Sequence, residues 1–210
     1  MHADLSRKLA PTMPSTVELP SSGRFDWKRR MGVHEAYHQS PANRWLHWSC
    51  IPLELLAIVK LAALASFGGH LDLALVVIAI VAPIYLLTEP VIGTTMVAFL
   101  VGCWWLADHG PRFGTGWDAL LAVALFAATF AVQVAIGHGS FEGGRDDTNQ
   151  NLTEFRTRRN PIPLLLVFYY HLVEIFFALG YRPRLQRDVA VFTAREIASL
   201  SGGIARQPPP

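Results

Sequence analysis

Cysteine is scarce in this chain. The 210 residues include two, Cys50 and Cys103, both inside apolar stretches, which excludes a disulfide framework and a cysteine-based zinc site. Charge is also thin, at 16% Asp, Glu, Lys and Arg against 51% hydrophobic residues, with mean hydropathy +0.29. A soluble domain has more charge and less apolar surface than this, so the composition is that of a membrane protein. The formal charge of +2 is small and the basic residues are scattered over several loops, so no basic stripe for nucleic acid exists. Only Lys8, Lys28 and Lys60 are lysine, a bias read as compositional. No apolar run of secretory-signal length follows the basic residues near the start, so no cleaved signal is expected there. Membrane lipid and lipid-like molecules are the expected partners.

The sequence does have five apolar segments. They run from about Trp45 to Phe67, Leu73 to Leu87, Val91 to Ala107, Trp117 to Ile136 and Ile162 to Tyr181. Roughly 20 apolar residues cross the hydrocarbon layer as a helix, and an unpaired strand cannot satisfy its backbone there. The expected fold is therefore an all-α, multi-pass transmembrane bundle of about five spans, or four if one segment is re-entrant. Residues 1–30 are expected to be disordered, 31–185 to form the bundle and 186–210 to be a polar tail. Trp45, Trp48, Trp104, Trp105 and Trp117 fall at span ends, as interfacial anchors do. With five spans, the positive-inside rule places the N-terminus, the 88–90 hairpin and the 137–161 loop in the cytoplasm, and the C-terminus opposite. The membrane would be a bacterial inner membrane, or the endoplasmic reticulum in a eukaryote.

Eight histidines are a high load for so apolar a chain. His34, His38 and His47 precede and open the first span, and His138 closes the fourth, which the topology places at the same membrane face. His34 and His38 are four apart and share a helical face, as a chelating pair must. Ser40-Pro41 reads as an N-cap followed by Pro at N1, starting the helix that carries His47. A site of mainly neutral imidazoles suits a non-haem ferrous ion that binds dioxygen or a zinc ion that activates water, and the residues alone do not choose between them. Glu142, in a glycine-rich segment expected to be a bent loop, is a candidate fourth ligand or a partner orienting His138. Arg145 beside it is a candidate carboxylate clamp.

Glu54, His171 and Glu174 lie deep in apolar segments, where a carboxylate is costly unless it pairs or faces the bundle interior. They are expected to mark an internal cavity or a helix contact, with Lys60 as a partner for one of them. His109 and His70 are expected across the membrane from the other histidines, in structural roles.

These residues resemble a known family, the small multi-pass membrane proteins that include the fungal 2-hydroxy fatty acid dioxygenase and its bacterial relatives. The likeness lies in Tyr37-His38-x-x-Pro41-x-Asn43-x-x-x-His47-x-x-x-x-Pro52, in Gly137-His138-Gly139-x-Phe141-Glu142, and in Glu174-x-x-Phe177-x-Leu179-Gly180-Tyr181. It implies α-oxidation that depends on Fe(2+), consumes dioxygen and shortens a long-chain 2-hydroxy fatty acid by one carbon. It maps the metal onto His38, His47 and His138. His34 stands where relatives often have an aromatic residue, so its place in the ligand set rests on helix geometry. Relatives usually continue the second motif with Arg-Pro-Ala-Leu, whereas this chain has Arg145-Asp146-Asp147-Thr148. The substrate's carboxylate and 2-hydroxyl would chelate the metal, fixing the C1–C2 bond for reaction. The alternative reading is a non-enzymatic lipid-binding or transport protein with a path built on Glu54, His171 and Glu174. A di-iron desaturase needs several histidine-rich boxes, and a single HxxxH is present.

Overall fold

Helix starts along this chain are marked by capping side chains, and the computed structural model, which describes residues 19–67, 71–144 and 148–201, shows them in use. Helix α2 (Pro41–Ala63) begins where the Ser40 hydroxyl accepts the Asn43 N–H at 3.5 Å, with Pro41 in the first turn. Helix α3 (Leu73–Thr88) is capped by Asp72, which accepts the Leu75 N–H at 2.9 Å. Glu89 caps α4 (Pro90–His109) through the Val91 N–H at 3.0 Å. Helix α5 (Thr115–Val132) continues as a π-helical stretch from Gln133 to Phe141. Among the described residues, three elements are long and apolar enough to cross a membrane: α2, α4 and the α5 unit through Phe141. Helix α3 and α7 (Ile162–Ala178) are apolar but shorter. Helices α1 (Trp27–Tyr37), α6 (Thr148–Arg158) and α8 (Pro183–Ser201) complete an all-helical chain among the described residues.

Buried apolar positions recur at helical spacing and meet in one core. Ile51, Leu55 and Val59 of α2 face Ala74, Ile78, Val81 and Tyr85 of α3 and Ile92, Met96, Leu100 and Cys103 of α4. Helix α5 packs on α2 and turns Leu120, Leu121, Val123 and Phe130 outward, all more than half exposed. An apolar outer face of this kind is the surface a helix offers to lipid. Both cysteines are buried and free, as expected.

The bundle has two ends. At one, α2 meets α3 through the Ser66–Asp72 bridge and α4 meets α5 across residues 110–114. At the other lie the N-terminus of α2, the Glu89 hairpin and the π-helical stretch. Helix α7 lies across this second end instead of running through the bundle. Near its start Leu165 O accepts the Tyr85 hydroxyl at 2.9 Å, and just past its end Tyr181 and Arg182 donate to Glu89 Oε1 at 2.9 and 2.6 Å. A 17-residue helix is about 25 Å long, so both ends reach one hairpin only if the helix lies along it. The fifth apolar segment, expected as a span, is thus a 17-residue helix at this end of the bundle.

The C-terminal part of the chain consequently returns to the end where α1 sits, not the opposite one. The segment expected as a polar tail contains α8, whose Val189 and Phe192 are buried against α1. Gly32 permits the approach: a Cβ there would lie 2.5 Å from Phe192 Cβ. Lys28 pairs with Asp188 at 2.7 Å, and Thr193 donates to Glu35 at 2.8 Å, on the same contact. At the other boundary α1 begins at Trp27, inside the stretch expected as disordered, because Trp27 and Met31 are buried in the core.

Candidate metal centre

The expected i, i+4 pair forms as α1 ends. His34 sits in the last turn and His38 caps it, with their rings stacked at 4.0 Å between centroids. The chain then turns through Ser40 into α2, and His47 follows in its second turn. Residues five apart come to one face in a π-helix, so Gln133 and His138 of the π-helical stretch both approach His47. Gly137 lets that stretch press onto α2, since any Cβ there would collide with Asn43 Oδ1. The glycine-rich loop expected here is therefore helical through Phe141, and only Gly143 and Gly144, at φ 64° and 78°, turn the chain. The close helix crossing, not a bend, explains the glycine at 137.

Two sets of three donors result. Ligand atoms of His38, His47 and His138 lie within 4.8 Å of one another, and so do those of His34, His171 and Glu174. The sets adjoin: His47 stacks on His171 at 4.7 Å, and His34 meets His171 edge-on at 4.6 Å. All six are buried except His138, which is partly exposed.

The surrounding hydrogen bonds decide which ring nitrogens face inward. His38 Nδ1 lies 2.9 Å from the His34 carbonyl, which can only accept, so Nδ1 carries the proton and Nε2 keeps its lone pair. The Gln133 amide donates to Glu54 and thereby turns its oxygen to His47 Nδ1. His47 Nε2 is then a buried lone pair with no hydrogen-bond partner among the described residues, and Glu174 Oε1 is likewise without one. Buried polar atoms normally find partners. Imidazole nitrogens that converge on one point, with the His38 and His47 rings each oriented by a bond to the other nitrogen, are a donor set that could hold a first-row divalent ion.

The expected site residues separate accordingly. His34, His38, His47 and His138 do come together. Glu142 lies at the α2 N-terminus, where Oε1 accepts the Ser40 N–H at 2.8 Å and the Asn43 amide at 3.3 Å. That position pins the π-helical stretch to α2 and complements the helix dipole. Arg145 and His70 lie outside the described residues. His109 is exposed, stacks on Trp105 at 5.2 Å and stands apart from the cluster.

Glu54, His171 and Glu174 adjoin the histidines. His171 and Glu174 belong to the cluster, and Glu54 reaches it through Gln133. Lys60 pairs with neither glutamate; it donates to Ala107 O at 3.1 Å and lies 3.8 Å from Asp118, at the other end of the bundle. Trp45, Trp105 and Trp117 are exposed as anchors should be, whereas Trp48 and Trp104 turn inward to Glu174 and Asp72. Gln133 was not singled out from the sequence, although an amide between apolar residues one π-turn before His138 is a legible signal.

The family model described as 2-hydroxy-palmitic acid dioxygenase Mpo1-like matches residues 25–158, well over half of the chain. The chain belongs to this family. The match spans both motifs that carry His38, His47 and His138, and it ends before α7. No curated protein and no solved structure matches. Within this Mpo1-like chain, His171 and Glu174 therefore lie beyond the matched residues.

Proposed function

We propose that this Mpo1-like protein is a membrane-embedded dioxygenase that uses ferrous iron and converts a long-chain 2-hydroxy fatty acid to the acid one carbon shorter. The convergence of His38, His47 and His138 on one buried point is the observation that carries the reading, and the family's description supplies the substrate class. These three histidines would hold the iron, which when bound would supply the one-electron chemistry that makes dioxygen reactive toward an organic substrate.

The remaining work belongs to the chain. Gln133 and Glu54 hold His47 in the tautomer that offers Nε2. Trp48 and Phe177 close the site against water from the side of a cavity of about 290 Å³, also lined by Glu35, Arg44 and Glu174. Arg44 on α2 is the cation placed to receive a carboxylate entering there, and the acyl chain would extend along the apolar outer faces of the bundle. Most described basic residues lie at this end, and Lys60 and Arg112 lie at the other. Positive-inside then favours a cytoplasmic placement for the site and for both the α1 and α8 helices.

The test is anaerobic ferrous loading of the detergent-purified chain followed by product analysis with a long-chain 2-hydroxy acid and dioxygen. Stoichiometric iron and the one-carbon-shorter acid are expected. Absence of both would exclude the reading.

A further inference from the structure

Six protein donors are more than one reactive ion can use. An octahedral ion holding all of them has no position left for substrate or dioxygen, whereas three donors leave positions open. We propose that His34, His171 and Glu174 form a second divalent-metal site beside the His38, His47 and His138 site, making a two-ion centre. The proposal rests on the reading of the first set as a metal site.

Geometry carries it. Glu174 Oε1 is buried, accepts no hydrogen bond among the described residues and lies 3.8 Å from His34 Nε2. That separation is too long for a hydrogen bond. It falls in the range of roughly 3–4 Å kept by two donors each about 2.1 Å from one ion. The other oxygen, Oε2, accepts the Trp48 indole N–H at 3.0 Å and meets His171 Nδ1 at 3.4 Å, which leaves Oε1 toward His34 and Nε2 as the His171 nitrogen for an ion. One ring of each set stacks on one of the other, His34 on His38 at 4.0 Å and His47 on His171 at 4.7 Å. Two-ion centres keep their metals about 3.5–4 Å apart.

Electrostatics point the same way. The cavity that opens on this set presents Glu35 and Glu174 against the single guanidinium of Arg44. A divalent ion on Glu174 would add positive charge beside Arg44, on the side from which a carboxylate enters.

The experiment is an anaerobic titration of the metal-free, detergent-solubilised full chain with ferrous iron, counting bound iron per chain by elemental analysis. Two ions are expected in the wild type, and one in His171→Ala, in Glu174→Gln and in His38→Ala. Tryptophan fluorescence and gel filtration check that each variant is folded. A wild-type count of one overturns the second site without needing any variant. A count of two that stays two in both folded His171→Ala and Glu174→Gln overturns it as well. Two ions without chain shortening would overturn the substrate reading and leave the second site standing; one ion with chain shortening would do the reverse.

Discussion

Both ends of the bundle bury ionisable side chains, and they treat them in opposite ways. At the end that joins α2 to α3 and α4 to α5, Lys60 faces Asp118 and the Ala107 carbonyl, Asp72 takes the Trp104 indole N–H at 2.8 Å, and Asp118 accepts the Phe113 N–H at 3.2 Å. Each of these groups has its partner. At the end that carries the histidines, His47 Nε2 and Glu174 Oε1 are buried without a hydrogen bond among the described residues. Cavity size does not separate the two, because the larger cavity, about 360 Å³, lies at the satisfied end. What separates them is whether the buried atoms are paired. Satisfied polar groups hold helices together; unsatisfied donors aimed at a common point mark a place for something that is not protein.

The strongest way to break this contrast is to remove a first-set histidine. His38→Ala or His138→Ala should cut oxygenase activity by on the order of 100-fold or more and lower the iron count, while the thermal midpoint changes little. Activity and elemental analysis of the same sample check both halves. Next in size is Gln133→Leu, which touches no proposed ion but frees His47 from its oriented tautomer. A loss of roughly 10- to 100-fold in iron affinity is expected, read by competition with a chelator. Unchanged affinity would mean that the Glu54–Gln133–His47 chain is only a helix contact.

The satisfied end should respond in stability alone. Lys60→Met leaves the Asp118 carboxylate buried beside an apolar side chain, and a cost of about 1–3 kcal/mol is expected in denaturant or thermal unfolding, with iron content unchanged. The smallest effect concerns how α6 is tied to α1. Arg30 grips Glu154 with two bonds of 2.7 and 2.6 Å, and that pairing holds the Glu154 carboxyl below its ordinary value of 4.5. A depressed carboxyl stabilises the fold above its unfolded pKa, and its contribution is lost as pH falls below about 4.5. Glu154→Gln should cost about 1–2 kcal/mol near neutrality and flatten the stability profile in that acid range, with iron binding untouched.

Much of this was legible in the residues. The i, i+4 spacing of His34 and His38, the Ser40-Pro41 helix start and the apolar runs all foretold local structure, because each depends on neighbours within a turn or two. The amphipathic α8 escapes a hydropathy reading, because low overall hydropathy hides the shared face of Leu185, Val189 and Phe192 behind its arginines. The bonds of Glu142 were hidden for another reason: a carboxylate near a histidine and one capping a distant helix look the same until the crossing of α2 and the π-helical stretch is known.

By itself, then, the sequence determined the Ser40-Pro41 helix start, which segments seek an apolar environment, and that imidazoles open α2 and close the α5 unit. Only the tertiary structure decided that α7 lies across the bundle end, and with it that His171 and Glu174 meet His34. Hydropathy reports how a segment partitions from water, not whether protein or lipid receives it, and periodicity assigns a residue to a face without naming what that face will touch. His34 of the second set lies more than 130 residues before His171 and Glu174 in sequence, and no local rule couples it to them. Packing does.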